Sequence, residues 1–492
     1  MKKGVLIQIG VSFLVGLANF SMGYTDVWPS YAIPIFKSVN SPLSGVFTRN
    51  QESLIGSIPM LGSLLGTIMS GKIADSIGRK RGEIFFGCIN TLACTLICTA
   101  TSFYLLLGSR LLLGFGNGLN AGIFSIFAGE YSSVSIRGTV IALAAFGYSA
   151  GVLVSYIMGW LFSYQVVNYF VLTINVTFTI SMCFMKETPI YLLKVGKEKE
   201  ALNSLKFYRG TKITTQEVID EFADIKSLVE TPKQQEMKIF SDIDNNNEDP
   251  EKEKLRHATD EAYVKPSNRS AWKALLSSKS SLRALFTISL LICLAVCMGM
   301  VTILTYAGTL FSKAVPNLSP DLCAIALAVA NITGSGLPIV MSDWVGRRIL
   351  MITSSVLVSC CLVTLGVLIR WPLAPDWMIP VVVLMYCFCY QLGSGSVPYM
   401  LNSECYVPEV KSLCIVLSMS VMFISNFIML AAYTATVDLL GLDGTFFLYA
   451  AVAAASAVVS YLIVPETSGI TTEAIQEKFA RGFLQYRVLV KE

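Results

Sequence analysis

The side chains able to do chemistry in this chain fall into two sets, and the first consists of recurring charged pairs. Asp75 stands ahead of Gly78, Arg79 and Lys80, and Asp343 stands in the same way ahead of Gly346, Arg347 and Arg348. Glu130 is followed seven residues later by Arg137, as Glu404 is by Lys411, and Glu187-Thr188 reappears as Glu466-Thr467. Carboxylates and cations so spaced form ion pairs and cap helix ends. The second set is Asn120, Tyr148, Thr302, Tyr306, Gln391, Tyr399, Asn402 and Asn426, which are lone amides, hydroxyls and phenols inside apolar runs. They can donate and accept hydrogen bonds toward an uncharged polar solute, or toward one another between helices. Neither set is a nucleophile with its base. The single histidine, His257, lies in a polar segment, and the thirteen cysteines fall mostly within apolar runs such as those around Cys94, Cys297 and Cys387, where they pack as small apolar groups. The sequence therefore predicts no enzyme, no catalytic residue, no metal and no cofactor.

These side chains need elements to hold them, and composition says which. Of 492 residues 54% are apolar and 14% charged, too hydrophobic for an ordinary soluble domain. Apolar windows long enough to cross a bilayer fall at 5–26, 53–74, 84–102, 105–128, 139–161 and 166–185, then at 284–308, 321–341, 349–369, 378–401, 412–436 and 445–464. Residues 194–281 between the two sets hold 32 of the 70 charges. The expectation is an all-α membrane protein of twelve transmembrane helices, with the lipid bilayer as its surroundings and no obligate protein partner. A net charge of +4 without a basic cluster excludes nucleic acid. With the N-terminus inside, the short inner connections carry most of the Lys and Arg, including Lys2, Lys3, Lys80, Arg81, Arg347 and Arg348. Translocated loops disfavour these residues, so both termini and the charged middle are expected in the cytoplasm.

The paired motifs recur at offsets of 268, 274 and 279 residues, in the same order and always at inner helix ends. Three such coincidences indicate two six-helix repeats of the same orientation, related by an axis along the membrane normal, with a substrate site between them. The expected units are an N-terminal bundle (1–193), a cytoplasmic loop with short helices and an Asn-rich insert near 241–261 (194–281), a C-terminal bundle (282–465) and a cytoplasmic tail (466–492).

On GKIADSIGRKR (Gly71 to Arg81), Arg110 with Gly114, Gly116 and Gly118, Glu130 with Arg137, ETPIYLL (Glu187 to Leu193), DWVGRR (Asp343 to Arg348), GSVPY with Glu404, and PETSG (Pro465 to Gly469), the chain resembles the sugar porter family of the major facilitator superfamily. It is most similar to the insect branch of facilitated trehalose and hexose transporters. The resemblance implies a plasma-membrane carrier moving a hexose or trehalose by facilitated diffusion through alternating access. It also implies a gating charge network made of Asp75, Arg79, Glu130, Arg137, Glu187, Asp343, Arg347, Glu404, Lys411 and Glu466.

The contact set departs from the family pattern. Where span seven of the family carries two glutamines and an asparagine, this chain has Ala295, Val296 and Val301. Ala145 replaces the span-five glutamine, Tyr399 the span-ten tryptophan, and Met422 and Phe423 the asparagine and tryptophan of span eleven. The compensating polar residues are the second set above, led by Gln391. In proton-driven members an Asp follows the Gly-Tyr pair of span one; here Thr25 follows Gly23 and Tyr24, and Asp26 comes one residue later, about 100° around the helix. Asp26 is expected to point elsewhere, which favours passive transport. Proton symport, transport of another neutral solute, and a non-transporting sugar sensor are the open alternatives.

Overall fold

The computed structural model describes residues 2–38, 47–133, 136–211, 215–229, 271–371, 374–467, 470 and 472–481. Every regular element among them is helical, as a bilayer requires of a spanning chain that is not a closed barrel, since backbone groups find no water there. The first half runs α1 (Lys2–Asp26), α2 (Pro29–Lys37), α3 (Arg49–Ile77), α4 (Arg79–Cys98), α5 (Phe103–Tyr131), α6 (Arg137–Leu161) and α7 (Tyr164–Phe184). The short helices α8 (Pro189–Lys194), α9 (Glu198–Arg209) and α10 (Gln216–Val229) follow, as the charge spacing predicts. The second half is α11 (Ala271–Ser277), α12 (Lys279–Cys297), α13 (Met300–Thr305), α14 (Ala307–Ala314), α15 (Pro320–Ser335), α16 (Leu337–Val345), α17 (Arg347–Arg370), α18 (Met378–Leu392), α19 (Val397–Glu404) and α20 (Pro408–Ile463), closed by α21 (Thr472–Arg481).

Twelve crossings follow from this order. Ten helical stretches are long and apolar enough to span, and Pro320–Ser335 adds a shorter one. The twelfth comes from α20, whose 56 residues double back at Gly441, where φ is 77°. Spans one, seven and ten are broken helices, with α1–α2, α12–α14 and α18–α19 as their pieces. The insert at 241–261 and His257 lie outside the described residues.

The two halves are joined at one end and separate at the other. Toward the face bearing Arg49 and Gly441, apolar clusters mix the halves: Val27, Val152 and Tyr156 pack with Leu304, Leu327 and Tyr386, and Ile33 and Met60 pack with Tyr306, Phe423 and Tyr433. Toward the face bearing the charge motifs, each half has its own core. Val15, Phe86, Phe127 and Phe178 build one, and Ile288, Met351, Leu401 and Phe479 build the other. The polar links between halves follow suit. Arg49 pairs with Asp438, Ser53 bonds Thr434, the Gly308 amide donates to Ser30 Oγ at 2.8 Å, and Tyr156 donates to the Leu304 carbonyl at 2.5 Å. This conformation is therefore sealed at the Arg49 face and parted at the basic face.

Candidate functional site

The charge motifs assemble into two copies of one device, one per half. Gly78 and Gly346 take φ of 102° and 90°, a region costly for other residues, and each hands the chain directly into a new helix. The freed amides at those helix starts are then taken by a carboxylate. Glu187 accepts from Lys80 N at 2.9 Å and Thr188 N at 3.0 Å. Glu466 accepts from Arg347 N at 3.0 Å, Arg348 N at 3.2 Å and Thr467 N at 3.0 Å. A Cβ on either glycine would enter that carboxylate. Arg79 Nε donates to Glu130 at 3.0 Å, and Arg347 donates to Glu404 at 3.1 Å. Thr188 and Thr467 hold the second oxygen of those two acids. Asp75 adds a 3.1 Å contact to Arg79. The described part of the predicted network thus pairs within each half in this conformation, and among the described residues Arg49–Asp438, on the other face, is an ion pair that bridges the halves. Lys411 is exposed, and the side chains of Arg137 and Asp343 lie outside what the structure describes.

The short helices α9 and α10 are fastened to the same face of the first half. Gln8 donates to the Tyr208 carbonyl at 3.0 Å and accepts from Ser133 N at 2.9 Å, while Arg209 reaches the Tyr131 carbonyl at 3.0 Å and clasps Glu221. Burial, and then the Glu187 carboxylate, push the Tyr208 phenol's pKa up, which keeps it a donor to the Lys186 carbonyl at 2.6 Å.

The predicted solute-contacting residues divide by what they already touch. Gln391 Nε2 donates across helices to Asn331 Oδ1, a bond that ties α18 to α15. Tyr306 is fully buried, stacks on Tyr433 with centroids 4.8 Å apart, and donates to the Leu430 carbonyl at 3.4 Å. It belongs to the seal at the Arg49 face. Thr302 is buried one turn before it. Tyr399 rests its hydroxyl on Met422 Sδ at 3.2 Å. The asparagines differ: Asn120 donates to Asn19 at 3.3 Å, leaving Asn120 Oδ1 and Asn19 Nδ2 without partners, and Oδ1 of Asn402 and of Asn426 is also unpartnered. Orphaned buried amide atoms are costly unless something bonds them. These four come from both halves, on spans one, four, ten and eleven.

One expectation is corrected. Asp26 does not point away from the interior: Tyr148 of α6 donates to its Oδ2 at 3.1 Å. The break after α1 lets the chain turn there. Beside it lies Arg110 of α5, fully buried, with Nη1 on the Thr25 carbonyl at 2.8 Å and its guanidinium 5.1 Å over the Trp28 ring. Trp28 in turn donates to Asn168 at 2.8 Å. Arg110 was visible in sequence as a charge inside a span, but its partners on span one, Thr25 and Trp28, were not. Glu83 is a second buried acid on α4, with neither oxygen bonded, and the sequence offered no signal for its role.

Comparison with known proteins decides the family. The model of the family "Sugar (and other) transporter" matches residues 11–244 and 229–479. The chain belongs to the sugar transporter family. Like other members of this major facilitator fold it is a multi-pass membrane transporter and not an enzyme. It is 22% identical to the facilitated trehalose transporter of Bombyx mori over 99% of its length and 89% of the relative's. It is 24% identical to the human solute carrier family 2, facilitated glucose transporter member 6, over 96% of this chain and 91% of that one. Among solved structures, the inward-open xylose transporter XylE of E. coli superposes with a TM-score of 0.73 at 15% identity, covering 96% of this chain and 99% of the other.

Proposed function

We propose that the protein carries a neutral sugar, a hexose or trehalose, down its gradient by alternating access. The observation that carries this reading is the pairing of a sealed face and a parted face around unbonded amide atoms contributed by both halves. Asn19, Asn120, Asn402 and Asn426 supply donors and acceptors that a polyhydroxylated solute satisfies, and Tyr148 and Tyr399 supply aromatic flanks. In the return step the Arg49 face parts and the basic face closes, bringing the Arg79–Glu130 and Arg347–Glu404 clusters together as a gate. The Lys and Arg bias of the short connections supports both termini in the cytoplasm, and the trehalose and glucose relatives support the plasma membrane. Counterflow into proteoliposomes with glucose, fructose, trehalose and a non-sugar polyol tests the reading. Saturable exchange of a sugar is expected; binding without flux supports a sensor, and exchange of the polyol alone supports another neutral solute.

A second reading, proton-coupled transport, is favoured by one specific observation. Asp26 is held by Tyr148 and neighbours Arg110, and an ionisable group loaded inside a carrier is what coupling needs. Under that reading accumulation collapses with a protonophore and Asp26→Asn abolishes accumulation while sparing exchange. Facilitated diffusion predicts no effect of the protonophore.

A further inference from the structure

On the basic face several cations have a carboxylate. Arg79 has Glu130, Arg209 has Glu221, Lys226 has Glu198, Lys197 has Glu200 and Arg347 has Glu404. Others bond carbonyls instead, as Arg283 and Arg348 do, and one cleft gathers three that have no ion pair among the described residues. A cleft of about 560 Å³ opens between the starting turns of α4, the end of α7 and the short helices α8 and α9, and it is lined by Lys80, Arg81, Lys186, Lys197, Glu187 and Glu200. Lys197 and Glu200 pair with each other, and Glu187 is occupied with the α4 amides. The three remaining cations have no acid. Lys80 donates to the Cys183 carbonyl at 2.8 Å, Lys186 to the Asn203 carbonyl at 3.4 Å, and Arg81 is exposed with no ion pair among the described residues. Like charges gathered together repel, and with Glu187 turned to the α4 amides and Glu200 to Lys197 the cleft keeps an excess of positive charge that suits an anion.

Its surroundings say what kind. Phe85 on α4 and Phe184 on α7, each next in sequence to a lining residue, are exposed, Phe184 by 77%, and Ile77, Ile84 and Val195 line the cleft wall. Exposed aromatic and aliphatic groups at a helix end are covered by lipid chains, while a cationic recess at the same depth meets the headgroup layer. The second half has no counterpart, because at the same repeat offsets Ile349 replaces Arg81 and Pro465 replaces Lys186. The volume lies within the usual small-ligand range of about 300–1,000 Å³.

We propose that this cleft binds the headgroup of an anionic glycerophospholipid. The phosphate meets Lys80, Arg81 and Lys186, and the acyl chains run past Phe85 and Phe184. The lipid would tie the membrane bundle to the α8–α9 pair in one half alone. The proposal goes beyond the transport reading and takes from it only the leaflet, the cytosolic one, where such lipids concentrate.

The test is native mass spectrometry of the full chain in neutral detergent, titrated with phosphatidylserine, phosphatidylinositol or phosphatidylcholine. Preferential retention of the two anionic lipids is expected. Arg81→Gln, which removes a side chain with no partner to lose, and Lys186→Gln should each weaken that retention about five-fold, the factor for about 1 kcal/mol per basic residue at a membrane surface. The double variant Lys273→Gln, Lys279→Gln, on the same face but outside the cleft, should leave it unchanged. Equal retention of phosphatidylcholine, insensitivity to Arg81→Gln, or equal loss in the Lys273/Lys279 variant would overturn the assignment. Full displacement of phosphatidylserine by millimolar inorganic phosphate or glycerophosphoserine would also overturn it, in favour of a soluble anion.

Discussion

Gly56 offers a test of which face is sealed. It sits on α3 where the two halves meet, and a Cβ there would lie 3.0 Å from Cζ of Tyr306 and closer still to its hydroxyl oxygen. Tyr306 cannot retreat freely, because its ring is stacked on Tyr433 and its hydroxyl is bonded to the Leu430 carbonyl. Gly56→Ala should therefore penalise the sealed conformation by the usual overpacking cost of about 1–3 kcal/mol and leave the opposite conformation untouched. That shifts the population about 5- to 150-fold toward an open Arg49 face. Met60→Cys places a reporter thiol in the buried contact layer next to it. External labelling by a membrane-impermeant maleimide, above the level of the native cysteines, should rise when Gly56→Ala is added. Gly71→Ala, at a position where a Cβ meets nothing within 4 Å, is the control. Unchanged labelling in the Gly56 variant, or an equal rise with Gly71→Ala, would refute the argument that this contact holds the face shut.

Three further outcomes are expected. The Arg49–Asp438 pair is 71% and 42% exposed, so breaking it with Arg49→Asp should shift the same labelling by no more than about five-fold, a surface pair being worth about 0–1 kcal/mol, and the swap Arg49→Asp with Asp438→Arg should restore it. Glu130→Gln should lower the thermal midpoint in detergent more than Glu404→Gln. Arg79 is 3% exposed and loses a buried partner, at a cost of up to about 3 kcal/mol, whereas Arg347 and Glu404 are 12% and 32% exposed. Asn402→Leu, which removes an unbonded acceptor, should raise the half-saturating sugar concentration in counterflow about five- to ten-fold while leaving expression and thermal stability near normal.

The charge motifs were legible because each recurs in the same order at nearly one offset, although the acids meet their partners across long stretches of chain: Glu187 is 107 residues from Lys80 and Glu466 is 119 from Arg347. Twelve crossings were legible because apolar length alone decides them, although the doubling back of α20 at Gly441 and the break at Gly299 depend on single backbone angles. The interior was harder. Gln391 stood out as a lone amide, yet what it meets is set by the packing of α15 on α18, which puts Asn331 opposite it. Tyr306 reads as a solute contact, and in this conformation its ring stacks on Tyr433 in the seal, a contact that depends on how the halves dock and not on local sequence. Asp26 was assigned by rotating an ideal helix by one residue. Asp26 is the last residue of α1, so the rotation holds within its own helix, but which side chains of α5 and α6 meet it is set by how those helices pack.

That each bundle keeps its own hydrophobic centre at the basic end has a consequence for assembly. The stretch connecting them need not transmit force; it has merely to keep two self-sufficient bodies near one another, while the seal at the far end supplies their mutual recognition. Two polypeptides divided within residues 230–270 and produced together should accordingly find each other in the membrane and regain transport.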